Sequence, residues 1–553
     1  MRRSLERDAL SMEMPRTVTG GVQPAGVATG AADRADRAGR AAALPAWAWP
    51  AAALAILAVS LSPFLVVDAP AVLDYPNHLA RFYILAHLRD PILSRMYAAH
   101  WTVLPNIGMD VLGTALLCVL PPDIGGRILL ALSLVAPPAG AILYARAAFG
   151  RWTWWSLGAA VVAYNGIFFL GFMNFLLGVG VAFAGAAAWR VLRRQGRDGA
   201  AIAAGAALGL ASFLCHLLGF GLFALLIAAQ ELAELAPRWR RREATWRAAI
   251  RPAILLATSL APAAALYLIT RQATDNGQPA GWNWGAKFTE LLIPSMTYST
   301  VATMISAAVV IGVAAIVWRR GARLAAGAGT ALVVVAALYI VAPAAAAGGT
   351  FVDARLPLVG ALLLFAGLDP RPPPGVARAV AAALALLLVG RAAVVTQSWI
   401  GHARDLAELR ADLACVPPGA TILPAWTGSP PNEETSGREL PHFTLLNDEL
   451  AAFAIIERRA FWPLEFADPA QQPIVLRAPY DSLGQRIGWP AQWVRLLDNP
   501  STSAEVAEHP FLKDWRGRFD FVLLTGPPPA GPMPVGLVLL RRGDETSIYK
   551  VLR

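Results

Sequence analysis

The stretch just after the first apolar run of the sequence carries side chains capable of acid–base chemistry. Asp68, Asp74, His78 and Arg81 fall close together there. A carboxylate can take a proton from an attacking group, and an arginine can bind phosphate through its fork of donors. Pro76 is favourable in the first turn of a helix, so we predict a helix that starts there, directly after Asp74. His78 and Arg81 would then lie on one face.

These residues also have purely structural interpretations. Asp74 could serve only as a helix cap and His78 as a surface residue. Asp68 belongs to an Asp-Ala-Pro sequence that is typical of an ordinary turn.

Two further residues are suited to binding an anion. Arg355 lies at the edge of an apolar run, where an unpaired arginine costs a few kcal/mol but is a natural partner for phosphate. The alternatives are pairing with Asp353 and extension of the side chain to the membrane surface. His216, in "CHLLGFGLFAL", is either a catalytic residue or a satisfied interior histidine.

A third segment is rich in aromatic residues. Trp282 and Trp284 precede Lys287 and Glu290, and this combination is able to stack on a sugar and hold it. An aromatic belt at a membrane interface is an equally good interpretation.

The composition indicates that a membrane positions these residues. Hydrophobic residues make up 56% of the 553 residues and charged residues only 15%, which excludes an ordinary soluble protein of this size. The net charge is +10, but the basic residues fall into short loops instead of one patch, which argues against nucleic-acid binding. The three cysteines show no spacing typical of disulfide frameworks or zinc sites.

Eleven apolar runs approach the roughly 20 residues that a membrane span of about 30 Å requires. They are 47–67, 124–146, 153–170, 174–192, 200–215, 217–234, 250–270, 299–318, 324–345, 352–369 and 379–397. The run 107–120 contains Asp110 and ends at Pro121 and Pro122, so we interpret it as a surface helix. Every arginine cluster between spans then falls on the same, cytoplasmic side, as the positive-inside rule requires.

The chain is therefore predicted to be a polytopic α-helical membrane protein with three parts. They are a disordered cytoplasmic tail (1–46), a transmembrane module (47–397) whose first outer loop (68–123) carries surface helices, and a periplasmic soluble α/β domain (398–553). In the last part, "FDFVLLTG" is typical of a buried strand, and "VGLVLLRRGDETSIYKVL" of a hairpin that turns near Gly543 and Asp544.

This layout resembles the GT-C superfamily, membrane glycosyltransferases that use polyprenyl-phosphate sugars and include protein mannosyltransferases and aminoarabinose transferases. In that superfamily the loop after the first span carries a catalytic acid in a pattern like "DE..Y…AR". Here "LDYPNHLARFYIL" occupies this place, with Asp74 matching the acid and Arg81 the later arginine. Tyr75 stands where the superfamily commonly has a second acid. Arg355, in "FVDARLPLVG", matches an arginine that faces the donor phosphate.

The resemblance covers about residues 47–397 and implies a function. A sugar would pass from polyprenyl phosphate to a lipid, glycan or protein acceptor at the outer face of the bacterial inner membrane. Asp74 would be the general base, and Arg355, His216 and Arg81 would bind the donor phosphate. His78, Trp282 and Trp284 would contact the acceptor or the sugar.

No cofactor is implied; participation of a divalent metal is left open, but no residue pattern indicates one. The alternatives are a non-catalytic translocator of lipids or glycans and a polymerase or ligase of surface glycans. A translocator would more often bury charged pairs in the membrane or contain inverted repeats, and the sequence shows neither.

Overall fold

The structure is a computed structural model that describes residues 47–242, 245–274, 280–346, 349–427, 444–484, 510–527 and 534–553, with residues 45, 439–440, 491–493 and 529. The predicted disordered tail 1–46 lies outside the described residues, except for residue 45.

Eight of the described helices are long and apolar enough to cross a membrane. They are α1 (Ala48–Leu61), which reaches span length only together with the 3₁₀ helix Ser62–Leu65 that continues it, α5 (Pro122–Phe149), α7 (Met173–Arg194), α8 (Asp198–Cys215), α9 (Leu217–Arg240), α10 (Ile250–Thr274), α12 (Thr300–Arg319) and α15 (Pro374–Leu413). The shorter helices are α2 (Tyr75–Ala86), α3 (Leu93–Met96), α4 (Gly108–Leu117), α6 (Gly166–Leu170), α11 (Lys287–Glu290), α13 (Ala328–Val341), α14 (Leu356–Gly367), α16 (Phe453–Arg458) and α17 (Trp515–Arg518).

Three of the eleven predicted spans are shorter than a full membrane helix. The run 153–170 forms a 3₁₀ helix, Trp155–Val162, followed by α6, because the Asn165 side chain interrupts the run. This side chain donates to the carbonyls of Val162 and Ala163 and accepts from the Phe168 N–H, so it ends one helix and caps the next. The runs 324–345 and 352–369 contain only α13 and α14. A count of eleven full-length spans is therefore not reproduced.

The connections between the helices form two separate ends of the bundle. At one end, Arg194 donates to the Ala147 carbonyl and Arg151 pairs with Asp369. Strands β2 (Ala322–Leu324) and β3 (Leu368–Pro370) are antiparallel at this same end. We call it the arginine end.

The opposite end contains α2 and the residues that the sequence singles out, and we call it the site end. Arg127, near the start of α5, donates to the carbonyls of Phe64 and Val67 just after α1. The Asp74 N–H donates to the Leu170 carbonyl at the end of α6, at 3.2 Å. Helix α4, which was predicted to lie at the surface and not to span, is ten residues long and lies here.

Helix α15 is a single helix of 40 residues that continues through the predicted boundary at residues 397 and 398. After it comes a five-stranded sheet with the order β10-β11-β9-β4-β8. Its strands are β4 (Ile422–Trp426), β8 (Ala491–Gln492), β9 (Phe521–Thr525), β10 (Leu537–Arg542) and β11 (Thr546–Val551). Strand β4 is parallel to β8 and β9, whereas β9, β11 and β10 are antiparallel.

The buried strand and the hairpin predicted for this C-terminal region are confirmed. All five residues of β9 are buried, and β10 and β11 pair around the turn at Gly543. The Glu408 carboxylate in α15 accepts from the backbone N–H groups of Asp544, Glu545 and Thr546. The hairpin is thereby attached to the last turns of α15.

The C-terminal region also contacts the segment that follows α1. Strand β1 (Tyr97–Ala99) pairs antiparallel with β7 (Ile474–Leu476). Arg459, just after α16, forms an ion pair with Asp90 at 3.0 Å. The remaining short strands, β5 (Glu439–Leu440) and β6 (Thr444–Leu445), pair with each other.

Candidate active site

Asp74 lies directly before α2, as predicted, and Pro76 occupies the first turn of that helix. The Asp74 side chain makes no capping hydrogen bond to the helix, so the structure does not support a role as a helix cap. The backbone of Gly171 passes very close to Asp74. A Cβ at residue 171 would lie 2.9 Å from the Asp74 Cβ, and Gly171 has φ +91°, a conformation that favours glycine.

The environment of Asp74 shifts its acidity toward neutral pH. Burial raises the pKa of Asp74 to about 7, while the positive charges of Arg81 and Arg355 act in the opposite direction. Both arginines are therefore close enough to act on this carboxyl group, although they come from distant parts of the chain. A carboxyl group that titrates near pH 7 is suited to accept a proton at physiological pH.

Arg81 and His78 form one buried group in the helix that follows Asp74. Arg81 Nη2 lies 2.7 Å from His78 Nδ1, and Arg81 Nε donates to Asp110 Oδ1 at 2.6 Å. Burial and the charge of Arg81 hold the pKa of His78 well below its usual range, so the imidazole is neutral. The backbone of Gly171, which packs against Asp74, also lies beside His78 and favours its charged form.

Arg355 and His216 meet at the site end, although 139 positions separate them in the sequence. Arg355 Nη1 lies 2.7 Å from His216 Nε2, and Arg355 Nη2 donates to the Thr350 carbonyl at 3.0 Å. The guanidinium also lies over the Phe172 ring, 4.5 Å from its centre. Burial lowers the pKa of Arg355 to about 10, so it stays charged at neutral pH.

The alternative in which Arg355 pairs with Asp353 does not occur. Asp353 Oδ2 instead accepts from Lys287 Nζ at 2.6 Å, and Lys287 also donates to the carbonyls of Tyr339 and Ala342. The guanidinium of Arg355 therefore retains a donor fork that no carboxylate of its own loop occupies.

His216 presents a hydrogen-bond donor beside this fork. Its Nδ1 accepts from the Leu218 N–H at 3.0 Å and caps the first turn of α9. Burial and the charge of Arg355 hold the pKa of His216 well below its usual range, and a neutral ring that accepts at Nδ1 carries its proton on Nε2. Two donors, on His216 and on Arg355, thus face each other at 2.7 Å. An anion that accepts from both would resolve this conflict.

Trp282 and Trp284 lie in an exposed segment before α11. Half of the Trp282 side chain is exposed, and its Nε1 donates to the Val341 carbonyl. The Trp284 ring lies 5.5 Å from Lys287 Nζ, which is anchored to Asp353. Through the bond between Lys287 and Asp353, this segment is attached to the chain two positions before Arg355.

Asp110 and Glu465 were not predicted as site residues. Both side chains are fully buried next to Arg81. The only signal in the sequence is an acidic residue inside an apolar stretch, "GMDVLG" and "WPLEF". Such a residue usually has a buried partner, but the sequence does not identify it.

Within the described part of the chain, no group of three His, Cys, Asp or Glu residues is placed to hold a metal ion. An open, mainly apolar cavity of about 510 Å³ lies between the end of α1 and α15, and none of the predicted site residues lines it.

The fold is a helical bundle with a long segment after its first helix, the predicted acid at the start of that segment and a C-terminal sheet region. Two solved structures of ArnT, an aminoarabinose transferase from Cupriavidus metallidurans, share this fold. The one bound to undecaprenyl phosphate matches with a TM-score of 0.50 and 13% identity over 91% of this chain and 98% of ArnT. The apo structure matches with a TM-score of 0.50 and 12% identity over 91% of this chain and 97% of ArnT.

No protein-family model matches the sequence, and a comparison with curated proteins finds no match. At 12–13% identity the likeness to ArnT establishes the fold.

Proposed function

We propose that this protein is a membrane glycosyltransferase that moves a sugar from a polyprenyl-phosphate donor to a lipid, glycan or protein acceptor. The observation that carries the proposal is the convergence of Asp74 with the Arg355–His216 pair at one end of the bundle. A candidate base thus lies near a pair of donors suited to phosphate. The ArnT structure with the same fold was solved with undecaprenyl phosphate bound, which supports a donor of this kind.

Asp74 acts as the general base in this proposal. An acceptor hydroxyl or amine attacks the anomeric carbon of the sugar while the bond from that carbon to the phosphate oxygen breaks on the opposite side. The acceptor proton passes to the Asp74 carboxylate, and the electron pair of the broken bond stays on the phosphate. The product has inverted configuration at the anomeric carbon.

Arg355 and His216 stabilise the phosphate as its negative charge develops. Arg355 supplies a fork of charged donors, and His216 supplies Nε2–H. The start of α9 follows His216 directly, and the positive end of a helix favours an anion there. These groups are fixed before the reaction, so little reorganisation is required.

Arg81 is assigned a different role from direct phosphate contact. Its side chain is fully buried and its Nε is committed to Asp110. Its positive charge acts on Asp74 through the protein, while its Nη2 contacts the neutral His78. Trp282 and Trp284 remain proposed contacts for the sugar or acceptor, since their segment is anchored beside the Arg355 loop.

The proposed location is the bacterial inner membrane, with the arginine end on the cytoplasmic side and the site end and C-terminal region on the periplasmic side. The charge pattern supports this orientation, since arginines flank the helices at one end. Nucleotide sugars are not available outside that membrane, which favours a lipid-linked donor.

The test is a transfer assay with the purified protein in lipid nanodiscs. A panel of radiolabelled undecaprenyl-phosphate sugars is supplied together with membrane extract as the acceptor source. We expect label to enter an acceptor with the wild type and hardly at all with Asp74→Asn. Asp68→Asn is the matched control, because Asp68 is 66% exposed and pairs with Arg410 on the surface.

Two results would contradict the proposal. One is equal transfer by the wild type and Asp74→Asn. The other is the absence of transfer with every donor of the panel, accompanied by movement of intact labelled lipid across the membrane, which would identify a translocator.

A further inference from the structure

The guanidinium of Arg81 directs each of its nitrogens toward a different element of the fold. Nε donates to Asp110 in α4 at 2.6 Å, and Nη2 lies 2.7 Å from His78 in α2. Nη1 faces Glu465 of the C-terminal region, with 4.0 Å between Nη1 and Oε1. All three directions of the planar group are therefore occupied by specific neighbours.

Burial makes the charges of this arrangement energetically costly. The side chains of Arg81, Asp110 and Glu465 are all 0% exposed. Arg81 Nη1 and both oxygens of Glu465 have no hydrogen-bond partner among the described residues. A charge in such surroundings is tolerated only when neighbouring groups compensate it.

The charges of the cluster balance when Glu465 carries a proton. Arg81 and Asp110 form one ion pair, and a second carboxylate would leave a net negative charge in the interior. Burial, opposed by Arg81 and reinforced by Asp110, raises the pKa of Glu465 to about 8. The charge of Glu465 in turn contributes to raising the pKa of the buried Tyr97. Arg81, Asp110 and Tyr97 are thus the titratable groups that face Glu465.

The neighbouring backbone holds Glu465 in place. The Asn77 amide in α2 donates to Glu449 and, at 3.4 Å, to the carbonyl of Leu464, the residue directly before Glu465. The first turns of α2 are thereby bound to the C-terminal region at two points. Any displacement of this region would move the partner of Arg81 Nη1.

We propose that Glu465 is a positioning residue of the candidate active site: it holds the Arg81 guanidinium in the orientation from which its charge reaches Asp74. This inference rests on the proposed role of Asp74 as the base. Without the Glu465 side chain, Nη1 loses the carboxyl group that faces it, and the guanidinium turns toward another partner. The His78 ring, which contacts both Arg81 and the Gly171 backbone, then loses its orientation, and Asp74 loses part of the positive charge beside it.

The test follows the titration of Asp74 by infrared spectroscopy of the full-length protein in nanodiscs. A protonated carboxylic acid has a distinct C=O stretching band, and the part of the band that Asp74→Asn removes belongs to Asp74. The titration is recorded for the wild type, Glu465→Ala and Glu465→Gln, each with and without Asp74→Asn. Glu457→Ala is the matched control, because Glu457 belongs to the same region but forms a partly exposed pair with Arg410.

We expect Glu465→Ala to raise the midpoint of the Asp74 titration by about one pH unit, because a nearby positive charge favours the carboxylate. Glu465→Gln should restore the wild-type midpoint, since its amide oxygen can still face Arg81 Nη1. Glu457→Ala should leave the midpoint unchanged. Should Glu465→Ala fail to fold, Glu465→Asp withdraws the carboxyl group by one methylene and should give a smaller upward shift.

An unchanged Asp74 midpoint in folded Glu465→Ala or Glu465→Asp would overturn the proposal, and so would an equal shift in Glu457→Ala. The readout does not require turnover. A shift in the midpoint together with a wild type that transfers no sugar would refute the proposed function while leaving the positioning role of Glu465 intact.

Discussion

At the scale of a single residue, two opposing effects determine the charge of Asp74. Burial disfavours its negative charge, whereas the guanidinium groups of Arg81 and Arg355 favour it. The result is a pKa of about 7, at which small changes in either influence alter the charge of the carboxyl group. The proposed base is therefore sensitive both to pH and to the placement of the two arginines.

We predict that turnover depends on pH through Asp74. The carboxylate must be deprotonated to accept a proton, so the transfer rate should rise as the pH increases through about 7 and level off above it. Asp74→Asn should lower turnover on the order of 10²–10⁴-fold. Initial rates of sugar transfer between pH 5.5 and 8.5 check both statements. A wild-type rate that does not change across this range would exclude Asp74 as the base.

Arg355 allows a second prediction at the same scale. Arg355→Lys keeps a positive charge but loses the fork that faces His216, so use of the donor should weaken about 10-fold and not disappear. The Km for the donor lipid and kcat are measured separately. Arg127→Lys serves as the control, since Arg127 lies at the same end of the bundle but bonds to backbone carbonyls. Similar losses in both variants would contradict a specific role of Arg355.

At the scale of elements, the local features of the fold could be predicted and the long-range ones could not. The start of α2 follows from Pro76, and the hairpin β10–β11 follows from its alternating pattern around Gly543. The run 153–170 has the composition of a span, but it is broken because Asn165 bonds to its own backbone. Hydropathy alone does not reveal such a competition.

The close approach of Gly171 to Asp74 gives a prediction for the connection between two elements. Gly171→Ala would place a Cβ 2.9 Å from the Asp74 Cβ, so α2 must move and turnover should fall at least 10-fold. Gly150→Ala is the control. Gly150 also has a positive φ, +72°, but a Cβ added there would have no other atom within 4 Å.

Both glycine variants should lose stability, on the order of 1–2 kcal/mol, because each forces alanine into a left-handed conformation. Only Gly171→Ala should also lose transfer activity beyond what its smaller fraction of folded protein explains. Thermal unfolding and transfer rates of the two proteins are compared side by side. Equal activities, after correction for folded protein, would show that the contact with Asp74 does not matter.

At the scale of the whole molecule, the charge pattern predicts an orientation. Arg151 and Arg194, which belong to two of the predicted arginine clusters, lie at one end of the bundle, apart from the site end. That separation could be predicted because it depends on sums over many residues. The approach of Glu465 to Arg81 could not be predicted, because Glu465 lies hundreds of residues further along the chain and has no pattern that marks it.

We therefore predict opposite locations for two reporters. A reporter that is active only in the periplasm should be active when fused after Arg553 and inactive when inserted near Arg241. A reporter that is active only in the cytoplasm should give the reverse. Activity of the cytoplasmic reporter at Arg553 would refute the orientation and place the candidate active site on the inner side.

The pairing of β1 with β7 has a consequence for how the protein is made. The ribosome releases Tyr97 and the buried cluster around Arg81 early, whereas Ile474 and Glu465 emerge only after every membrane helix has been synthesised. Until then Asn77 lacks Glu449 and Arg81 lacks Glu465, so the segment after α1 cannot adopt its final structure. An unfinished chain is therefore unable to assemble the site, and a newly inserted protein becomes competent only when its last portion has folded back onto its first.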